Sequence, residues 1–161
     1  MIVFFEGIVM CFVLILVCVV GIRNGAVGVV TFYEKNVQKR VVELGMTTEK
    51  EIKRSSVITG AALFLPMLFL VPYMVYGVNG VTEMSEGFLQ ILTVYMIMGL
   101  FDRLFIDWYW VGHTQAWLIP GTEDLMPYIP RKTAVKKWVG TLVMYPLTAL
   151  LISLIMALII K

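Results

Sequence analysis

Four long apolar segments dominate this chain of 161 residues. They are Ile2–Ile22, Val57–Val78, Phe88–Val111 and Trp138–Ile160, and each has the roughly 20 apolar residues that a helix needs to cross a bilayer. Because backbone groups in lipid must be hydrogen-bonded within the segment, such segments fold as helices. Residues 1–161 are therefore predicted to form a single domain of four transmembrane helices in an all-α integral membrane protein.

Composition and charge distribution support this class and predict an orientation. The chain is 60% hydrophobic and 15% charged, whereas soluble domains are about half apolar and a quarter charged. The connections 23–56 and 112–137 hold most of the Lys and Arg, and the turn 79–87 has none. By the positive-inside rule both connections are cytoplasmic, so both termini lie on the non-cytoplasmic side of the cell membrane. A net charge of +2 gives no reason to expect a nucleic-acid partner.

The first connection is predicted to be partly helical. Apolar residues recur there at helical spacing, at Tyr33, Val37, Val41 and Leu44. This pattern predicts a short amphipathic helix lying at the cytoplasmic surface of the membrane. Gly45 suits the left-handed position that ends such a helix. Thr48 and Glu51 have the spacing of a capping box, which predicts a second helix that continues into the next apolar segment.

Small residues and prolines predict how the segments pack. Segment one has a stripe of small residues that includes Gly7, Cys11, Cys18 and Gly21, which allows close approach of another helix, within the chain or in a second copy. Four helices enclose little volume, so we expect a homodimer or a larger membrane complex. The loop 119–131 is rich in proline but apolar, and it is predicted to pack back against the bundle. Glu6 is expected to be solvated near the external face.

Three charged residues lie inside the third apolar segment, namely Asp102, Arg103 and Asp107. Charges at such depth cost a few kcal/mol each on insertion scales, so they are expected to face protein or a cavity. An α-helical wheel places Arg103, Asp107 and Trp110 on one face and Asp102 on the adjacent one. Arg103 and Asp107 are four residues apart and are predicted to pair. Asp102 is then left without a local partner, unless Arg103 bridges both carboxylates.

His113 and Trp110 complete the candidate ligand- or ion-binding site near the cytoplasmic face. We expect them to line its mouth together with the loop Gly121–Leu125. His113 is the only histidine of the chain; it is either an interfacial residue without a role or an acid/base group. The sequence has no cluster of metal ligands and no motif for a cofactor, so neither a metal nor a cofactor is expected.

The layout of four helices with a long basic first connection is similar to that of the membrane-associated eicosanoid and glutathione enzymes. The second helix of that family carries a polar set of Arg, Asn and Glu. Ile58–Tyr76 has no such residue, so no site residue is carried over from the resemblance.

Three functions remain open at this point. The first is a small multi-pass membrane protein that binds or transports a small ligand or ion at Asp102, Arg103 and Asp107. The second is an intramembrane enzyme that acts on a lipid-like substrate, with Asp107 or His113 as the general acid or base. The third is an accessory subunit of a larger membrane complex. The sequence alone does not decide whether the protein is an enzyme.

Overall fold

The computed structural model describes residues 1–160, and all regular elements within that range are helical. The five main helices are α1 (Ile2–Ile22), α2 (Lys35–Glu43), α3 (Glu49–Val78), α4 (Met84–Val111) and α5 (Arg131–Ile159). Short 3-10 turns occur at Ala26–Phe32, Gln115–Trp117 and Glu123–Leu125. Helices α1, α3, α4 and α5 are long and apolar enough to cross a membrane.

Three of these helices begin earlier than the apolar segments that predicted them. Helix α3 begins at Glu49 rather than at residue 57, because the predicted capping box forms: Thr48 Oγ1 accepts from the Glu51 N–H at 3.3 Å, and Glu51 Oε2 accepts from the Thr48 N–H at 3.0 Å. Helix α5 begins at Arg131 rather than at residue 138, directly after Pro130, and α4 begins at Met84 rather than at residue 88. Helical hydrogen bonding therefore extends beyond the apolar stretch into polar residues.

Two helices contain wider, π-helical turns. In α3 they cover Pro66–Leu70 and Tyr73–Val78, and in α4 they cover Asp102–Val111. Side chains five residues apart share a face in such turns, and Ile106 and Val111 are indeed both buried. The α-helical wheel used for the third segment therefore does not fully describe the faces beyond Phe101, although residues four apart, such as Arg103 and Asp107, remain neighbours. π-Helical turns are frequent at functional sites, and this one contains all three charged residues of the segment.

Helix α4 is the centre of the bundle and packs mainly against α1 and α5. Small residues allow these contacts: a Cβ on Gly7 would lie 2.7 Å from Ile97, and one on Gly99 would lie 2.7 Å from Tyr145. The predicted stripe on α1 is buried at Gly7, Cys11, Leu14 and Cys18, so this face packs within the chain. Glu6 is buried on the same face and is 6% exposed, which contradicts the expectation that it is solvated.

The two predicted cytoplasmic connections pack together at one end of the bundle, which we call the loop end. The amphipathic helix is confirmed as α2, and Gly45 has the expected positive φ, of 70°. Its apolar residues Val37 and Val41 are fully buried in the protein core rather than free to face a membrane surface. The proline-rich loop also packs back as predicted: the Tyr128 ring stacks on Tyr33, with 4.7 Å between centroids.

Candidate functional site

Four charged side chains form one cluster where α4 meets α5. Arg103 donates through Nη2 to Asp102 and through Nη1 to Asp107. Lys137 of α5 donates through Nζ to Asp107 Oδ1 at 2.6 Å. The predicted Arg103–Asp107 pair is thus confirmed. Of the two alternatives for Asp102, the structure has the one in which the guanidinium bridges both carboxylates. Two acids and two bases give the cluster no net charge, which lowers the cost of its burial.

Two buried N–H donors beside this cluster have no hydrogen-bond partner within residues 1–160. They are Arg103 Nε and the indole Nε1 of Trp117. A buried donor without an acceptor costs about 1–3 kcal/mol, so native proteins leave few such groups unpaired. Both residues line the same cavity. Both donors are therefore candidates to bind an acceptor atom in that cavity.

That cavity, which we call the large cavity, has a volume of about 670 Å³ and lies among α1, α3, α4 and α5. The charged cluster forms one part of its wall, and most of the remaining surface is apolar. The apolar lining includes Leu14, Leu63, Phe64, Met67, Leu68, Met98, Ile106 and Met144. A mostly apolar cavity with a few convergent polar groups is the usual form of a small-molecule site.

Helices α3 and α5 face each other across the large cavity, each with a glycine in its wall. A Cβ built on Gly60 or on Gly140 meets no atom within 4 Å. The lining residues Phe64 of α3 and Met144 of α5 are also 62% and 57% exposed. The large cavity is therefore open on the side of α3 and α5, and neither glycine narrows it.

A second cavity, which we call the small cavity, lies on the other side of the charged cluster, towards the loop end. Its volume is about 260 Å³. It shares Arg103, Asp107, Val111 and Ile129 with the large cavity, so these residues form a common wall. The rest of its lining comes from the end of α4, the proline-rich loop and the start of α5, namely Trp108, Gly112, His113, Met126, Pro127, Tyr128, Ala134 and Trp138.

Tyr33 closes the large cavity at the loop end. Its hydroxyl donates to the carbonyl oxygen of Trp117 at 2.7 Å, and its ring contacts the Trp117 ring edge-on. Burial, together with the neighbouring Tyr128, raises the pKa of Tyr33 well above its usual range. Tyr33 therefore stays a neutral donor and fixes the backbone that carries one of the unpaired N–H groups.

The predicted site residues are only partly brought together. Asp102, Arg103 and Asp107 form the cluster, and His113 lines the small cavity. Trp110 lines neither cavity and packs edge-on against Trp117, with 5.2 Å between centroids. The loop Gly121–Leu125 also lines neither cavity. A Cβ on Gly121 would meet Leu44, and Asp124 pairs with Arg40 at 3.2 Å.

Sequence reasoning missed four residues of the site. They are Gly60, Trp117, Lys137 and Gly140. In the sequence Lys137 belongs to a basic loop. Its position directly before an apolar segment could have indicated that it pairs with a buried carboxylate. No signal in the sequence separates the two glycines from those used for packing.

The described residues contain no group of three or more His, Cys, Asp and Glu side chains that could hold a metal ion. The charged cluster has two carboxylates, and both already accept from cations.

No known protein family, curated protein or solved structure matches this chain.

Proposed function

We propose that this chain is an integral membrane protein that binds an amphipathic, lipid-like molecule in the large cavity. The apolar part of the ligand fills the space between α3 and α5, and a polar group accepts hydrogen bonds from Arg103 and Trp117. The observation that carries the proposal is the pair of buried, unpaired N–H donors in the wall of a mostly apolar cavity. The loop end carries most of the Lys and Arg residues, so the positive-inside rule predicts that it faces the cytoplasm.

Energetic reasoning supports an apolar occupant. Apolar side chains that line a space without partner atoms lose the dispersion contacts they would otherwise make, and most of the lining of the large cavity is apolar. Water is a poor filling for a surface that is largely aliphatic. The sideways opening between α3 and α5 gives membrane-dissolved chains direct access.

The charges of the cluster define the polar group of the ligand. The charges of the cluster cancel, because it contains Asp102, Arg103, Asp107 and Lys137. A bare ion would therefore enter the cavity without a compensating charge, which makes ion transport less favoured than binding of an uncharged molecule. Both unpaired groups are donors, and neither carries a lone pair. The ligand group is therefore an uncharged acceptor, such as an ester or ketone carbonyl.

A single chain supplies the lining residues of the large cavity. The expectation of a homodimer started from the small volume that four helices enclose, and a cavity of 670 Å³ removes that reason. The proposed binding function therefore needs no second copy, and oligomerisation stays a separate prediction.

Cys18 provides a built-in reporter for the proposed binding. Its thiol lines the large cavity, whereas Cys11, the second cysteine, does not. In a Cys11→Ala variant held in lipid nanodiscs, the rate of Cys18 alkylation by N-ethylmaleimide is measured with methyl laurate or with dodecane. Methyl laurate is expected to protect Cys18 at a concentration at least about tenfold lower, because its carbonyl gains two hydrogen bonds. Equal protection by the alkane would refute a role for the two donors.

A variant that narrows the cavity tests the location. Gly140→Leu places its side chain in open space in the cavity wall, so the protein is expected to fold normally and to need a higher concentration of methyl laurate for the same protection. Val139→Leu is the matched control, because Val139 is adjacent, 54% exposed and outside the cavity lining. Unchanged protection in Gly140→Leu would place the ligand elsewhere.

A further inference from the structure

The two halves of α3, which forms one wall of the large cavity, are held in the bundle very differently. In the half beyond Pro66, Val71 and Val75 are completely buried. The half on the loop side, Glu49–Leu65, has no buried residue among its 17. Within residues 1–160 this half makes one side-chain hydrogen bond to another element, from Ser55 Oγ to a carbonyl oxygen of the 3-10 turn after α1, at 2.8 Å. The loop-side half of α3 is therefore only loosely attached.

The two halves meet at Pro66, where the helix can bend. Proline has no N–H, so the carbonyl group of Ala62 receives no helical hydrogen bond from it. The residues Pro66–Leu70 form a π-helical turn, and sharp helix kinks occur at prolines and at π turns. At 1.5 Å per residue, Gly60 lies about 9 Å and Lys53 about 20 Å from this point along the helix. A bend of about 20°, the size of a sharp kink, would move them by about 3 Å and about 7 Å.

The facing part of α5, in contrast, is fixed at its loop end by polar contacts. Thr133 donates to the carboxylate of Glu34, directly before α2. One turn further along, Lys137 donates to Asp107 of α4 at 2.6 Å. One wall of the opening is thus anchored at this end and the other is not, so a movement that changes the width of the opening belongs to α3.

The two glycines at the opening have no packing role in this structure. A Cβ on Gly7 or on Gly99 would lie 2.7 Å from a neighbouring side chain, whereas one on Gly60 or on Gly140 would meet nothing within 4 Å. A glycine inside a helix costs roughly 0.5–1 kcal/mol relative to alanine. In membranes, small residues allow two helices to approach closely. Because one glycine lies in each wall of the opening, an approach of α3 to α5 would give both glycines that role.

We propose that the loop-side half of α3 is a lid, which pivots at Pro66 and closes the large cavity by crossing α5 at Gly60 and Gly140. The structure has the lid open. Closing moves the exposed lining residues Phe64 and Met144 towards each other. A ligand chain between the helices then contacts both walls, so it favours the closed lid. This last step rests on the proposed function, whereas the pivot itself does not.

Distances between spin labels on α3 and α5 test the lid. Both native cysteines are replaced by alanine, and labels are attached to Lys53→Cys on the lid and to Lys136→Cys on α5, both at exposed positions. The matched control pair, Tyr73→Cys and Leu151→Cys, joins the same two helices beyond the pivot, and these side chains are 64% and 58% exposed. Double electron–electron resonance in lipid nanodiscs gives the distribution of distances for each pair.

Without ligand, the lid pair is expected to give two distances that differ by about 7 Å, and the control pair a single distance. Gly60→Leu places a side chain at the crossing point and is expected to abolish the shorter distance. Ala61→Leu, at an exposed neighbour outside the cavity lining, is expected to retain it. A single distance for the lid pair, two distances for both pairs, or a shorter distance that survives Gly60→Leu would overturn the proposal.

Methyl laurate separates the outcome for the lid from that for the proposed ligand. At concentrations that protect Cys18, it is expected to raise the ratio of the shorter to the longer distance by at least about fivefold, the lower end of the usual coupling between two linked equilibria. An unchanged ratio at those concentrations would mean that the movement does not enclose the ligand, and the lid would be refuted. If methyl laurate fails to protect Cys18 and the lid pair still gives two distances, the pivot stands and only the proposed ligand falls.

Discussion

Removing Asp107 and Lys137 separately and together is expected to reveal strong coupling within the charged cluster. Asp107→Asn leaves a net charge of +1 in the cluster, and Lys137→Met leaves −1. The double variant retains only Asp102 and Arg103 and is neutral again. The side chains of Arg103 and Asp107 are 11% and 13% exposed, and that of Lys137 is 30% exposed. The losses in the free energy of unfolding of the two single variants should therefore not add in the double variant, because the second substitution removes the charge that the first leaves unpaired.

The expected magnitudes follow from these exposures. Breaking one partner of a buried pair costs about 3–5 kcal/mol, and Asp107→Asn should cost about 3 kcal/mol because the lysine it strands is partly solvated. Lys137→Met should cost about 2 kcal/mol, since Asp107 still accepts from Arg103. The double variant should cost about 3 kcal/mol rather than the additive 5, a coupling of about 2 kcal/mol.

Reversible unfolding by dodecyl sulfate in mixed micelles measures these free energies. The matched control is the Lys39–Glu43 pair, which has the same four-residue spacing as Arg103 and Asp107 but side chains 79% and 56% exposed. Lys39→Met and Glu43→Gln should each change the free energy of unfolding by less than about 0.5 kcal/mol, with little coupling. If the losses at Asp107 and Lys137 are additive within error, charge balance is not what stabilises the cluster.

Further substitutions test the packing and the loop end. Gly7→Ala should lower the free energy of unfolding by about 1–3 kcal/mol, because its Cβ would lie 2.7 Å from Ile97. Gly60→Ala, in open space, should leave the free energy of unfolding unchanged or raise it by up to about 1 kcal/mol. A similar loss in both variants would argue against tight α1–α4 packing. Tyr33→Phe removes the hydrogen bond to Trp117 and should cost about 1 kcal/mol at neutral pH. Because burial raises the pKa of Tyr33, the folded state holds its proton more tightly than the unfolded state, so the stability that Tyr33 contributes should fall as the pH rises above about 10. The stability of the Tyr33→Phe variant should depend less on pH in that range, and equal alkaline losses in both proteins would contradict this.

The architecture of the bundle was largely predictable because it depends on local patterns. Apolar length predicted four long helices, and the structure has four that could cross a membrane. The spacing of Thr48 and Glu51 predicted the start of α3, and the periodic apolar residues near Val37 predicted α2. The four-residue separation of Arg103 and Asp107 predicted their pairing. Each of these features involves residues within one or two helical turns.

The features that escaped prediction are set by long-range packing. Lys137 is 30 residues from Asp107 along the chain, and only the arrangement of α4 and α5 brings the two together. The π-helical turns over Asp102–Val111 changed which side chains share a face. The large cavity opens where Gly60 and Gly140 leave space between helices, and no local pattern in the sequence distinguishes them from packing glycines such as Gly7.

The charge balance of the cluster also restricts the head group of the ligand, and this leads to one more prediction. Each Nη group of Arg103 already binds a carboxylate, and the cluster has no net charge, so a phosphate would bring an uncompensated negative charge into the cavity. In the wild-type protein, dodecyl phosphate should therefore protect Cys18 from alkylation no better than methyl laurate. In Asp107→Asn the Nη1 group is released and the cluster gains a net positive charge. Dodecyl phosphate should then protect Cys18 better than methyl laurate, at a concentration about tenfold lower. Preferential protection by the phosphate in the wild-type protein would mean that the assignment of an uncharged acceptor is wrong.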